Sequence, residues 1–238
     1  MSKRYRNRTC VYCRERLSIT ADHVFAREFF PLMERGGLPK VPACAQCNRL
    51  KSVAEHYLTA LLPFGGQHRS AAEDLVTMVP PRLDRNAKLR RTLAAGKRDI
   101  WMKTPAGVIL PSMSLPLDHE KLTAWAGYVA IGLTWHHWRL LVPLDHNVAP
   151  ICLSRAGEQA LATLFASRTA DTVSAAVGHG RFAYRGVREG NVTYWEILPM
   201  GGLMLAGDPH QPEEVSTRLG VLAGPKTLRL SSFRGAPG

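Results

Sequence analysis

Four of the five cysteines in this 238-residue chain form two pairs with CxxC spacing. Each pair lets two thiolates converge on one ion from a tight turn, and two such turns supply the tetrahedron that Zn²⁺ prefers. The spacing therefore predicts a structural zinc site with no open position for chemistry. Disulfides and small buried thiols are the alternatives, and disulfides fit poorly because MSKRYRNRT predicts no secretory signal. The predicted ligands are Cys10, Cys13, Cys44 and Cys47.

Three polar residues lie where these turns would bring them together. Asp22 and His23 occupy a short β-prone stretch, which predicts a strand carrying them on opposite faces. Asn48 follows the last cysteine, in the first turn of a helix predicted from Ala45 to about Leu61. Carboxylate and carboxamide oxygens suit Mg²⁺, and an imidazole can accept a proton from water. The pattern indicates a metal-dependent phosphodiesterase site.

The same stretches resemble the HNH endonucleases, in the zinc-stapled form of their ββα-metal fold. The matching residues are Cys10–Cys13, Asp22–Val24, and Val41–Asn48 with Lys51 following, and the resemblance covers residues 8–62. It implies that His23 is the general base and that Asp22 and Asn48 bind a catalytic Mg²⁺ or Mn²⁺.

One position departs from the family pattern. Many members carry an asparagine shortly before the second cysteine pair, where it braces the catalytic histidine. This chain has Leu38-Pro39-Lys40 instead. Either another group, such as a backbone carbonyl, orients His23, or catalysis is impaired.

The net charge of +12 favours a polyanionic partner, although charge alone separates neither DNA from RNA nor nucleic acid from an anionic membrane. Two segments are especially basic, residues 3–16 and residues 82–103. The first adjoins the zinc turn, which favours phosphate contact, whereas the second fits a solvated face equally well. The predicted partner is nucleic acid, double-stranded DNA in particular. The residues predicted to contact it are Arg8, Arg27, Arg49 and Lys51.

The predicted fold class is α+β. Residues 1–64 are expected to form the small ββα-metal nuclease module, and residues 65–238 an α+β accessory region that binds nucleic acid, packs on the module or forms a homodimer. A long helix is predicted from His119 to about Leu141. A C-terminal antiparallel β-meander is predicted from strands 181–187, 191–198 and 202–206, and the tail after Gly207 is predicted as loop.

No apolar run approaches the roughly 20 residues that span a bilayer, so no membrane association is expected. The expected setting is cytoplasmic, with reduced thiols. Two functions follow from these patterns. The favoured one is an HNH-type endonuclease with structural Zn²⁺ and catalytic Mg²⁺ or Mn²⁺. The alternative is a non-catalytic zinc-stabilised nucleic-acid-binding protein, which explains the cysteines and the charge but not the positions of Asp22, His23 and Asn48.

Overall fold

The computed structural model describes residues 3–103, 107–167, 171–204 and 215–227, which form a mixed α+β fold. Two short strands and a helix open it in the order β-β-α, and a five-stranded antiparallel sheet completes it. None of the helices in these ranges combines the length and hydrophobicity needed to cross a bilayer. The elements are β1 (Thr20–His23), β2 (Lys40–Ala43), α1 (Ala45–Gly65), α2 (Ala71–Thr77), α3 (Val79–Arg85), α4 (Ala87–Gly96), β3 (Arg98–Lys103), β4 (Ile109–Ser114), α5 (His119–Trp138), β5 (His146–Ser154), α6 (Arg155–Ser167), β6 (Thr172–Val177), β7 (Phe182–Glu189), β8 (Val192–Pro199) and β9 (Val215–Pro225).

The connection between β1 and β2 is a compact loop. It contains two 3-10 turns, Arg27–Phe29 and Leu32–Glu34. Phe29 and Phe30 are buried, whereas Leu32 is exposed. The loop therefore contributes aromatic side chains to the core and leaves its second turn at the surface.

Helix α1 continues through Pro63, where the sequence predicted a break. Proline has no N–H, so its presence in a helix leaves the carbonyl four residues earlier without its usual donor. That carbonyl belongs to Thr59, and the Arg82 guanidinium donates to it with an N···O distance of 2.6 Å. A side chain from α3 thus supplies the missing hydrogen bond. Pro80 and Pro81 lie in the first turn of α3, a position that tolerates proline.

Helix α5 packs against the start of the loop that follows β1. A Cβ atom on Gly132 would lie 2.9 Å from Cγ2 of Val24, the residue that follows His23. Gly132 therefore permits an approach that alanine would obstruct. Trp125, also on α5, lies fully buried beside Phe25 and Phe29.

The five-stranded sheet has the order β5-β9-β8-β7-β6, with every neighbouring pair antiparallel. The prediction of a C-terminal antiparallel meander is confirmed for β7 and β8. The loop predicted after Gly207 is wrong for residues 215–225, which form β9 between β5 and β8. In the predicted strand 202–206, Leu203 forms only an isolated bridge with Gly66, and residues 205 and 206 lie outside the described ranges.

The sheet and the β1–β2 loop share one hydrophobic core. Phe182, at the start of β7, lies 4.9 Å from Phe29, 5.3 Å from Phe25 and 5.5 Å from Phe30 between ring centroids. Arg181 is almost fully buried beside it and donates to Glu34 and Asp74. The domain boundary between residues 64 and 65 stays a prediction, and this core contains residues from both sides of it.

Candidate functional site

The four predicted zinc ligands meet at one point. A tight turn, in which the Arg14 amide donates to the Cys10 carbonyl, carries Cys10 and Cys13. Cys44 caps the N-terminus of α1, and its sulfur accepts from the Cys47 amide. All four Sγ atoms lie within 4.8 Å of one another.

This geometry suits a metal ion better than disulfides. The Sγ atoms of Cys13 and Cys44 are 3.9 Å apart, and all four thiols are free. A tetrahedral zinc site with Zn–S bonds of about 2.3 Å requires sulfur separations of about 3.8 Å. Burial and the neighbouring sulfurs raise the pKa of Cys47, a cost that a bound cation would remove. The cluster could therefore hold a structural metal such as zinc.

Asp22 lies on β1 beside this cluster and is almost fully buried. The Tyr12 hydroxyl, which extends from the first cysteine turn, donates to Asp22 Oδ2 at 2.6 Å. The Lys51 ammonium lies 3.1 Å from the same oxygen. Both contacts fall on Oδ2, which leaves Oδ1 as the oxygen that an ion or a substrate could use.

Lys51 is the residue that ties α1 to β1. Its ammonium donates to the backbone carbonyl of His23 at 2.7 Å and to Glu55 Oε1 at 2.6 Å, in addition to its contact with Asp22. Three acceptors use the three protons of an ammonium group. Burial raises the pKa of Glu55 to about 7, although Lys51 opposes this shift. Glu55 therefore supports Lys51 from the same helix.

This arrangement argues against one predicted role. The side chain of Lys51 is completely buried, and its protons already have partners inside the protein. Lys51 is therefore not exposed to a phosphate in this structure. Its position one turn after the asparagine made phosphate contact plausible from sequence, but sequence spacing does not reveal that the side chain turns inward to two carboxylates.

His23 lies at the end of β1 and is half-buried. Burial, followed by the positive charge of Lys40, lowers the pKa of His23 to about 4. The imidazole is therefore neutral at neutral pH, which is the form that accepts a proton. Among the residues that the structure describes, none hydrogen-bonds the ring, so the predicted brace from a backbone carbonyl does not occur here. Lys51 holds the backbone of His23 and not its ring.

Asn48 is half-buried in the first turn of α1. It precedes Lys51 by three residues, and residues at this spacing lie on the same face of a helix. Because Lys51 contacts both Asp22 and the His23 carbonyl, that face meets the end of β1. The structure thus brings the four cysteines together, and it directs the helix face that carries Asn48 towards Asp22 and His23.

Three of the predicted nucleic-acid contacts, Arg8, Arg27 and Arg49, are exposed. Their guanidinium groups are therefore accessible to a partner. Arg16 on the first cysteine turn is also exposed, and its guanidinium lies near the sulfurs of Cys44 and Cys47. At least one positive charge therefore adjoins the cysteine cluster.

Sequence reasoning missed Tyr12 as part of the site. The aromatic residue inside the first CxxC was visible, but its partner Asp22 lies ten residues away and is set by the fold.

A comparison with protein-family models, curated proteins and solved structures finds no match to this chain.

Proposed function

We propose that this protein is a metal-dependent endonuclease of the HNH type that hydrolyses phosphodiester bonds in double-stranded DNA. The observation that carries the proposal is the contact of Lys51 with both Asp22 and the His23 carbonyl beside four clustered cysteines. This contact brings the helix that carries Asn48 against the strand that carries the acid and the imidazole. In phosphodiester hydrolysis, the acid and the carboxamide can bind a metal ion, and the imidazole can accept a proton from water.

The residues present fit a hard divalent cation. Asp22 keeps Oδ1 free of the contacts with Tyr12 and Lys51, and Asn48 adds a carboxamide oxygen on the facing helix. With both carboxylates ionised, Asp22, Glu55 and Lys51 together carry one net negative charge. When bound, Mg²⁺ or Mn²⁺ would stabilise negative charge on the phosphate and on the leaving oxygen.

The other steps belong to the protein. His23 is neutral at neutral pH and would take a proton from the attacking water. Tyr12 and Lys51 hold Asp22 in one orientation, because both bond its Oδ2. Arg8, Arg27 and Arg49 are exposed and would contact the phosphate backbone. With zinc bound, the cysteine cluster would fix the first cysteine turn, which carries Tyr12, and the N-terminus of α1.

A second candidate is a non-catalytic zinc-stabilised nucleic-acid-binding protein. The observation in its favour is the His23 ring, which no described residue orients. An unbraced imidazole is a weaker general base because it samples unproductive orientations. This candidate requires only the zinc and the positive surface.

Metal stoichiometry separates the two candidates. The zinc-loaded protein would be titrated with Mn²⁺, and binding would be followed by electron paramagnetic resonance. The endonuclease is expected to bind one Mn²⁺ that Mg²⁺ displaces, and Asp22→Asn is expected to abolish that binding while the zinc content stays constant. If the wild-type protein binds zinc but no Mn²⁺, the nucleic-acid-binding candidate replaces the endonuclease.

A further inference from the structure

The β3–β4 hairpin exposes an unusual amount of apolar surface. Trp101 is 74% exposed and Ile109 is 62% exposed, and Met113 on the facing strand is also at the surface. Isolated apolar side chains at a surface are ordinary, but a contiguous group indicates a binding surface. In the described ranges this sheet has two strands only. Within these ranges, the apolar side chains of the hairpin are therefore exposed to solvent.

The strand register places these side chains on one face. Trp101 pairs with Pro111, while Met113 and Ile109 occupy positions two residues away on the same strand as Pro111. Residues two apart on a strand point to the same side, so Trp101, Ile109, Pro111 and Met113 share one exposed apolar face. Asp99, two residues before Trp101 and opposite Met113, lies at the edge of this face.

The base of the hairpin is anchored to the protein. A Cβ on Gly96, at the end of α4, would lie 2.6 Å from Pro116, which follows β4. The Tyr57 hydroxyl of α1 donates to the Pro116 carbonyl and accepts from the Asp118 amide. The two ends of the hairpin are thus fixed to each other and to α1, the helix that also carries Asn48. The exposed face projects from a fixed base.

The adjoining segment is strongly basic. Residues 85–98 contain six basic residues and no acidic one, and all six are exposed. Leu89 and Leu93 are the buried residues of α4 and pack on α1, so the basic side of α4 faces solvent. Arg90 pairs with Asp84 and Lys97 with Asp99. The other four, Arg85, Lys88, Arg91 and Arg98, are exposed and take part in neither of these pairs.

We propose that α4 and the β3–β4 hairpin form a docking surface for a nucleic-acid duplex, with α4 on the phosphates and the Trp101 face in a groove. The major groove of B-DNA is about 12 Å wide and admits a two-stranded ribbon. A second copy of this chain is disfavoured as the occupant, because it would bring two chains of charge +12 together at their basic segments. The proposal rests on the proposed function for its class of partner, nucleic acid.

Duplex binding by the full-length protein tests the docking surface. Fluorescence anisotropy with a labelled duplex would be recorded without added Mg²⁺ or Mn²⁺, at about 50 to 200 mM salt. The double variant Lys88→Gln/Arg91→Gln is expected to bind about tenfold more weakly and to reduce the salt slope by about 1 to 2. Trp101→Ala is expected to weaken binding by about tenfold with an unchanged salt slope, because it removes an apolar contact in the groove and no contact to a phosphate.

The matched control is Lys226→Gln, which removes an exposed charge just beyond the end of β9 and should leave duplex binding unchanged. Wild-type affinity in both test variants would overturn the proposal. So would a dimer in sedimentation velocity that Trp101→Ala dissociates, because the hairpin would then be a contact between copies of the chain.

A small diester separates this proposal from the proposed nuclease. Bis(p-nitrophenyl) phosphate is too small to reach the hairpin, so the docking variants should hydrolyse it at the wild-type rate. If the wild-type protein does not hydrolyse the diester but the variants still bind the duplex more weakly, the docking proposal is supported and the nuclease proposal is contradicted. If the wild-type protein hydrolyses the diester but the variants bind the duplex with unchanged affinity, the nuclease proposal is supported and the docking proposal is contradicted.

Discussion

The buried ammonium of Lys51 is the residue on which the site depends most. It satisfies two carboxylates and a carbonyl from three positions in the chain, Asp22, Glu55 and His23. A buried charge without a partner is costly, whereas a fully hydrogen-bonded group of charges is tolerated. The arrangement therefore fixes the relative positions of β1 and α1.

Replacing this lysine tests that role. Lys51→Met is expected to lower the free energy of unfolding by about 3–5 kcal/mol, because Asp22 and Glu55 would remain buried without their cation. Urea denaturation followed by circular dichroism measures the change. Arg49→Met, on the exposed side of the same helix, is the control and should change stability by less than about 0.5 kcal/mol. Equal stability of the two variants would contradict the role assigned to Lys51.

The candidate site could be predicted from sequence where the information is local. Residue type and spacing predict the chemistry of the CxxC pairs, Asp22, His23 and Asn48. The cysteines converge in the structure as this prediction requires. The inward turn of Lys51 and the bond from Tyr12 could not be predicted, because each depends on which side chain the fold places opposite Asp22.

At the scale of elements, the cysteine cluster holds the first turn, β2 and the start of α1 together. The Sγ atoms of Cys13 and Cys44, although 31 residues apart, lie 3.9 Å from each other. A structural metal closes such a loop and contributes directly to folding. The short strands β1 and β2, of four residues each, have few contacts of their own to stabilise them.

Removing one ligand should therefore unfold this region. Cys44→Ser is expected to lose bound zinc and to lower the melting temperature, because three sulfurs hold the ion poorly. Zinc analysis and differential scanning calorimetry provide the two measurements. Cys152→Ser is the control, since that thiol lies in β5 away from the cluster. Full zinc content and wild-type stability in Cys44→Ser would contradict a metal role for the cluster.

Two glycines in α5 give a matched test of how that helix packs. Alanine is favoured over glycine in a helix by about 1 kcal/mol. A Cβ at Gly127 would lie in ordinary contact, 3.6 Å from Pro150 and Val148, so Gly127→Ala should raise stability. A Cβ at Gly132 would lie 2.9 Å from Val24, so Gly132→Ala should lower it by about 1–3 kcal/mol. Thermal unfolding compares the two. Stabilisation by both substitutions would show that α5 does not pack closely against Val24.

The elements that sequence failed to predict depend on distant partners. Strand β9 lies in a Gly- and Pro-containing tail and becomes a central strand because β5 and β8 flank it. Pro63 stays inside α1 because Arg82 supplies a hydrogen bond from another helix. Local propensity favoured a loop and a helix end at these positions, and tertiary contacts overrode both.

At the scale of the whole molecule, buried ionic and aromatic contacts connect the β1–β2 loop to the large sheet. Arg181 bonds Glu34 of the loop and Asp74 of α2, and Phe182 beside it contacts three phenylalanines of the loop. The accessory elements are therefore positioned to hold the loop that follows His23. The general α+β class was predictable, whereas this connection required the three-dimensional arrangement.

Arg181→Met tests whether the chain unfolds as one unit. The substitution leaves the buried carboxylate of Asp74 without its cation and removes one partner of the partly exposed Glu34, and we expect it to destabilise the protein by about 3–5 kcal/mol. Calorimetry should show one transition that moves to lower temperature as a whole. Arg69→Met, which removes an exposed arginine, should have little effect. Two separated transitions in the variant would indicate that the loop and the sheet unfold independently.

Cleavage of supercoiled plasmid by the purified protein tests the central claim, that His23 and its neighbours hydrolyse phosphodiester bonds. The reaction would be run with Mg²⁺ or Mn²⁺ and with EDTA, beside His23→Ala. The proposed mechanism predicts metal-dependent nicking or linearisation by the wild-type protein. It predicts a rate at least about a hundredfold lower in His23→Ala, with unchanged zinc content and stability. Undiminished cleavage by His23→Ala, or no cleavage by the wild-type protein with either metal, would contradict it.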